Sequence, residues 1–315
     1  MAQYFYFKRI VFIYSLVCCY LPTIFITQAP TWPYTKMKEY IQLSRHREFG
    51  DIISDTFAII KQNFKPLLKS YFVICGLFLL TDILISAFVN SNRGDAAITT
   101  LAGLVELFFD CINHIALILT VLSYFAIYKE KGDQPAEVLE VWGYFKYYFF
   151  RITLAQVLVI IAIVLGFFVC VLPGIYLAVI LSLVAPIMVF ENGNIEYSFK
   201  KAFKIIKENW WFTLGSLLLI TMIVGMGVMI LLLPSIIIYG TTQWLTGQNL
   251  DKVGGILQAI EVNLCQVLWI VPIITLTLVY YTLTEEKEAT SLIDRIKMFG
   301  KNAPVKKDQA SSEQY

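Results

Sequence analysis

Apolar residues in this chain gather into long runs instead of alternating or recurring as stripes. After residues 10–27, IVFIYSLVCCYLPTIFIT, six further runs occupy about 70–89, 109–128, 154–172, 175–190, 214–233 and 266–284. Each approaches the ~20 residues that a helix needs to cross ~30 Å of hydrocarbon. The pattern predicts an all-α polytopic membrane protein with six spans. Pro173 and Gly174, between the third and fourth runs, suit the central positions of a type II turn and predict a tight hairpin. Pro186 and Pro272 lie inside runs and predict kinks.

The stretches that precede spans are patterned differently. Phe57, Lys61 and Phe64 recur as Trp142, Lys146 and Phe149, and again as Phe203, Lys207 and Trp210. The offsets are identical each time, and FAIIKQNF in the first copy answers FKIIKENW in the third. On a helix these offsets stack two aromatics and a lysine along one stripe, which predicts three amphipathic helices lying in the cytoplasmic interface. Enrichment of lysine and aromatics at any membrane boundary accounts for a single copy. Three copies at one spacing point to a threefold repeat of one interfacial helix plus two spans.

Charge then fixes an orientation. Of 25 Lys and Arg, 21 fall in segments 28–69, 129–151, 200–207 and 285–315, while the opposite loops hold only Arg93 and Lys252. The positive-inside rule places those four segments, and with them the C-terminus, in the cytoplasm. The expected location is the inner (cytoplasmic) membrane. Three organisational parts follow: a doubtful hydrophobic extension at 1–36, a six-span domain at 37–287 and a polar cytoplasmic tail at 288–315. Three readings compete for the extension: an upstream translation ahead of a natural start at Met37, an extra peripheral helix, or a cleaved signal. The basic residues that follow it favour Met37 over a signal.

Composition narrows the function classes. The chain is 58% hydrophobic and 15% charged, against roughly 25% charged for a soluble domain, with a mean hydropathy of +0.68. A soluble enzyme or a secreted disulfide scaffold does not fit these values. The net charge of +2 gives no field for a polyanion, so nucleic acid is not an expected partner. Six cysteines lie in apolar stretches without a Cys-x-x-Cys spacing and read as buried free thiols. With only His46 and His114, no multi-histidine metal centre can be assembled, and no cofactor is expected.

Ionisable groups inside spans are the candidates for chemistry. Glu106, Asp110 and His114 follow one another at plus-four spacing, but helix rise puts Glu106 and Asp110 about 33 and 27 Å from the cytoplasmic edge, near the outer interface. Asp82, about 18 Å deep, and His114, about 21 Å deep, have nearly matched depths on consecutive spans and form a candidate buried polar pair. The bland alternative is a protonated Asp82, or one bonded to a hydroxyl such as Ser86. Glu285-Glu286 lacks the arginine that an intramembrane protease would place at Thr290, and no nucleotide loop, nucleophile elbow or His-Glu-x-x-His occurs.

REFGDIISDTFAIIKQNF, LPGIYLAVILSLVAPIMVFENG and YSFKKAFKIIKENWWFTLG together resemble a bacterial six-span family that includes the membrane domain fused to some glycerophosphodiester phosphodiesterases. The resemblance covers roughly 47–287 and rests on Pro173, Gly174 and Ser198. It implies a six-span membrane architecture. The soluble catalytic barrel has no counterpart in this sequence, so phosphodiesterase activity is not implied. The expected role is a non-enzymatic, lipid-associated scaffold or partner module, with membrane lipids and a protein in the membrane as partners. The alternatives are a small transporter for an amphipathic solute acting at Asp82 and His114, and an intramembrane enzyme. A water-accessible cavity reaching Asp82 would separate a transporter from a packed scaffold.

Overall fold

Long helices dominate because hydrocarbon cannot satisfy backbone N–H and C=O groups, so each spanning segment must bond them internally. In a computed structural model, which describes residues 41–91, 96–246 and 251–301, nine α-helices follow one another. They are α1 (Phe49–Ser91), α2 (Ala96–Glu130), α3 (Val138–Val169), α4 (Val171–Ser182), α5 (Val184–Phe190), α6 (Ile195–Ile206), α7 (Trp210–Thr246), α8 (Asp251–Cys265) and α9 (Ile270–Lys301). A 3₁₀ turn, Gln266–Trp269, joins α8 to α9. Six segments are long and apolar enough to cross a membrane: Phe49–Val89, Thr100–Glu130, Val138–Val169, Val171–Phe190, Trp210–Ile238 and Ile256–Lys287. These are the six predicted spans, and the chain is all-α.

The first two amphipathic copies are continuous with their spans inside α1 and α3, whereas the predicted third helix is divided: Phe203 lies in α6, Lys207 caps its end and Trp210 opens α7. All nine stripe residues have exposed or half-buried side chains. The stripe in α3 also makes ring contacts: Lys146 Nζ sits 5.3 Å from the Trp142 ring centroid, and Phe149 stacks on Phe78 at 6.2 Å. The buried faces are complementary, with Ile52, Thr56, Ile59 and Asn63 on α1 and Ser198, Ala202, Ile205 and Ile206 on α6. That i, i+4, i+7 spacing is the reason α6 lies with one face against the core.

Proline decides where helices break. Pro186 and Pro272 each stand at the third position of a helix, α5 and α9, directly after a break at Leu183 and at the 3₁₀ turn. A proline has no N–H to give the carbonyl four residues back and its ring crowds that carbonyl. Pro173-Gly174 behaves differently from the predicted type II turn. The chain reverses on one extended residue, Cys170 (φ −171, ψ 158), and Pro173 and Gly174 lie in the first turn of α4. That position tolerates proline, since its N–H would be unpaired there in any case. Residues 288–301 of the predicted tail continue α9 as helix. The hydrophobic extension at 1–36 lies outside the described residues. Of the four cysteines described, Cys75 and Cys265 are buried, Cys111 is half-buried and Cys170 is exposed, which corrects the reading of all six as buried.

Two ionic clamps close the side on which the basic segments gather. Arg47, one of the basic residues of segment 28–69, is 1% exposed. Its Nε donates to Asp55 at 2.8 Å, and its terminal nitrogens donate to the carbonyls of Leu43, Arg45 and Gln42. All three guanidinium nitrogens donate, in four hydrogen bonds, and such pairing is what makes a buried cation tolerable. The second clamp is Glu191, just past α5, whose carboxylate accepts from Tyr280 at 2.5 Å, Tyr197 at 2.8 Å and Lys201 at 2.5 Å.

Burial pushes the Glu191 carboxyl up, but the hydrogen bonds from Lys201, Tyr280 and Tyr197 outweigh it and hold the group below the usual carboxylate range. A depressed folded value contributes stability that is complete above the unfolded value, about 4.3, and is lost as pH falls through the folded one. Glu191→Gln should therefore lower the melting temperature in detergent at neutral pH. Its deficit against the native chain should shrink as pH drops below about 4. A deficit that stays constant between pH 7 and pH 3 would show that the carboxylate charge contributes nothing.

Candidate functional site

The 3₁₀ turn imposed by Pro272 sets the Gln266 side chain against α1 and α2, and a polar cluster assembles around it. Gln266 Nε2 lies 2.9 Å from Asp110 Oδ1, 3.3 Å from Asp82 Oδ2 and 3.4 Å from Asn263 Oδ1. Asn113 Nδ2 donates to Gln266 Oε1 at 2.6 Å and to Asp82 Oδ2 at 3.2 Å. Both neighbours of that atom are acceptors, so it must be the amide nitrogen. This leaves Asn113 Oδ1 buried without a partner. One helical turn above Asp82, Ser86 Oγ donates to Glu106 Oε1 at 2.6 Å.

Asp82, Ser86, Gly103, Glu106, Leu107, Asp110, Val262, Asn263 and Gln266 line a cavity of about 370 Å³ between α1, α2 and α8. Asp82 is 2% exposed and Asn263 3%, whereas Asp110 is open to the surroundings. The depth is graded: an exposed carboxylate at the mouth, a half-buried Glu106, and a buried Asp82 held by two amides. Three carboxylates converge here on amide and hydroxyl donors. Such a site attracts a cationic or hydrogen-bond-donating group. No group of three His, Cys, Asp or Glu residues among the described residues has the geometry to hold a metal ion.

The predicted partnership of Asp82 with His114 is replaced by one with Asn113 and Gln266. His114 is one residue further along α2, which turns its side chain about 100° around the helix axis. It is exposed, with its ring edge-on to Trp269 at 6.1 Å. Ser86, the alternative partner considered for Asp82, bonds Glu106 instead. Glu106 and Asp110, expected to be solvated at the outer interface, share the cavity with Asp82. The amides Asn113, Asn263 and Gln266 escape a search confined to ionisable groups. The signal that finds them is their position: all three are amides inside or beside apolar runs, where an uncharged polar side chain also needs a partner.

Comparison of the chain with protein-family models, with curated proteins and with solved structures found no match.

Asn113→Leu removes the amide shared by Asp82 and Gln266, and should cost about 1 to 3 kcal/mol, the usual penalty for a buried group losing its partner. The change should be visible as a lower melting temperature in detergent. His114→Leu should change that temperature little. The double replacement Asp82→Leu with Asn113→Leu should recover part of the single-mutant loss. Equal losses from Asn113→Leu and His114→Leu would contradict the assignment of Asn113 as the partner.

Proposed function

We propose that the chain is a non-enzymatic, multi-pass membrane module that organises lipid or a protein partner around its outward faces. The observation that carries this reading is the distribution of burial. The bundle of α1, α2, α5 and α9 is tightly closed, with Tyr71, Tyr124, Phe125 and Tyr128 among its fully buried side chains. The spans in α3 and α7 are the least covered, at 22% and 17% buried. A packed core with two long uncovered helices suits a body that works through its surface.

In this reading the three amphipathic segments lie in the cytoplasmic interface as a threefold repeat, the C-terminus is cytoplasmic and the membrane is the inner one. The gathering of 21 basic residues into four segments and the exposure of seven of the nine stripe residues, all but Phe149 and Trp210, support it. Kinship with the six-span family named above fits the same arrangement. Reporter fusions after residues 133 and 300 should both give cytoplasmic signals, and a fusion at 93 the opposite. Disagreement between 133 and 300 would overturn both orientation and repeat.

A second reading, binding and movement of an amphipathic solute, is favoured by one observation: the cavity reaches Asp82. The two readings separate in one preparation. Protein withdrawn from its native membrane in polymer-bounded discs should carry a lipid class enriched over the bulk membrane, or a second polypeptide in fixed ratio. Discs with bulk lipid and this chain alone would contradict the scaffold reading. A melting temperature raised by organic amines, and no longer raised after Asp82→Asn, would establish the solute reading instead.

A further inference from the structure

The hairpin of α3 and α4 has its two feet tied and its tip bare. At the feet, Arg151 donates to Asn192 Oδ1 at 2.9 Å, to Asn192 O at 3.3 Å and to Gly193 O. Between residues 157 and 175 the sequence VLVIIAIVLGFFVCVLPGI contains no charged side chain and no hydrogen-bonding one apart from the Cys170 thiol. At the tip Phe168 is 84% exposed, Val169 82%, Leu172 76% and Val171 60%. By contrast, the sequence between α1 and α2 reads NRGD at 92–95 and that between α7 and α8 reads GQNL at 247–250, both rich in polar residues.

Length limits how far this tip can travel. From Arg151 to Val169 is eighteen residues of α3, about 27 Å of helix rise, against ~30 Å of hydrocarbon. Any tilt shortens the reach across the bilayer, so a helix rooted at Arg151 cannot carry the tip past the far edge of the apolar layer. The turn itself is built with few loose polar groups. Cys170 N–H donates to Gly166 O at 3.1 Å and Gly174 N–H to Cys170 O at 3.4 Å, while Pro173 has no N–H to satisfy. The chain also reverses tightly. A Cβ on Gly166 would lie 3.1 Å from Gly174 Cα, and one on Gly174 would meet the Phe167 ring at 2.6 Å.

We propose that the α3–α4 hairpin is an embedded wedge, its tip from Phe167 to Leu172 seated among the acyl chains of the leaflet opposite Arg151 and never reaching water. The proposal rests on the membrane reading and adds to it a specific lipid-contacting element. It commits to acyl chains as the occupant because the tip offers only bulky apolar surface and stops at hydrocarbon depth.

Cys170, exposed at the turn, is a built-in probe. The full chain, with Cys18, Cys19, Cys75, Cys111 and Cys265 changed to Ala, is reconstituted in phosphatidylcholine vesicles with a nitroxide on Cys170. Collision rates are then measured with oxygen, which partitions into hydrocarbon, and with a water-soluble nickel chelate. Cys170 should favour oxygen as strongly as a nitroxide on Val157→Cys, and unlike one on Lys200→Cys, each reference site being placed in the same background with Cys170 also changed to Ala. Preference for nickel at Cys170, or shielding from both reagents as by a protein cover, would overturn the wedge. Preference for nickel at position 157 as well would instead overturn the membrane reading. A second measurement keeps the otherwise native chain. Val169→Glu should reduce the membrane-incorporated yield several-fold, and Leu139→Glu, equally exposed near the start of α3, should not. Equal yields would refute the embedded position even if the cysteine-depleted chain fails to fold.

Discussion

Hydrocarbon supplies no hydrogen-bond partner, and this constraint governs the chain from its helices to its candidate site. It sets the helix lengths and recruits hydroxyls to the backbone of their own helix. Thr56, Ser70, Thr120, Thr213, Ser216 and Thr282 all donate to the carbonyl four residues back. It also makes every helix break expensive unless a polar side chain is at hand. At the 3₁₀ turn Gln266 bonds side chains instead of freed backbone, and its hydrogen bonds tie α1, α2 and the last span together. A proline thus generates the break, and the break places the amide on which the cluster is centred.

The same constraint explains the different treatment of charge on the two sides. Near the basic segments, a buried Arg47 and a half-buried Glu191 meet formal counter-charges, Asp55 and Lys201, backed by carbonyls and phenols. Lys201 is depressed by burial yet raised overall by its hydrogen bonds to Glu191 and Tyr197, so the pair stays ionised across the neutral range. Removing Asp55 would be the costlier loss, roughly 3 to 5 kcal/mol, because it strands the fully buried Arg47. These clamps fasten non-helical chain, residues 41–48 and 191–194, to the bundle, where regular secondary structure cannot.

The spans and their order were legible in the sequence because runs of twenty apolar residues have few alternatives, and proline positions foretold two of the breaks. The pairing inside the bundle was less so. Depth along a helix is readable by counting residues, and Asp82 and His114 do have similar depth. Facing direction turns by 100° per residue, and one step separates Asn113, which meets Asp82, from His114, which does not. The burial of Arg47 was not legible for a related reason. Charge counting treats every arginine alike, and only the fold of residues 41–48 reveals that this one is enclosed. Pro173-Gly174 satisfied a turn template locally, but the contact of Gly174 with the Phe167 ring and Gly166 is tertiary and moves the reversal to Cys170.

The chemistry of the polar cluster is unbalanced in a way that bears on what it is for. A network meant only to bury one aspartate needs donors equal to its acceptors, and Asn113 with Gln266 already serves Asp82. Glu106 and Asp110 add two more carboxylates on the same cavity, served by Ser86 and by the amide that Asp82 also uses. A lysine or arginine in the cluster would have neutralised them permanently, as Lys201 does for Glu191. Amide and hydroxyl donors do not: they fix the geometry of the carboxylates and leave their attraction for an incoming cation intact. The clamped half beside the basic segments and this uncompensated cavity therefore differ in build, with ion pairs closing the one and carboxylates lining the other.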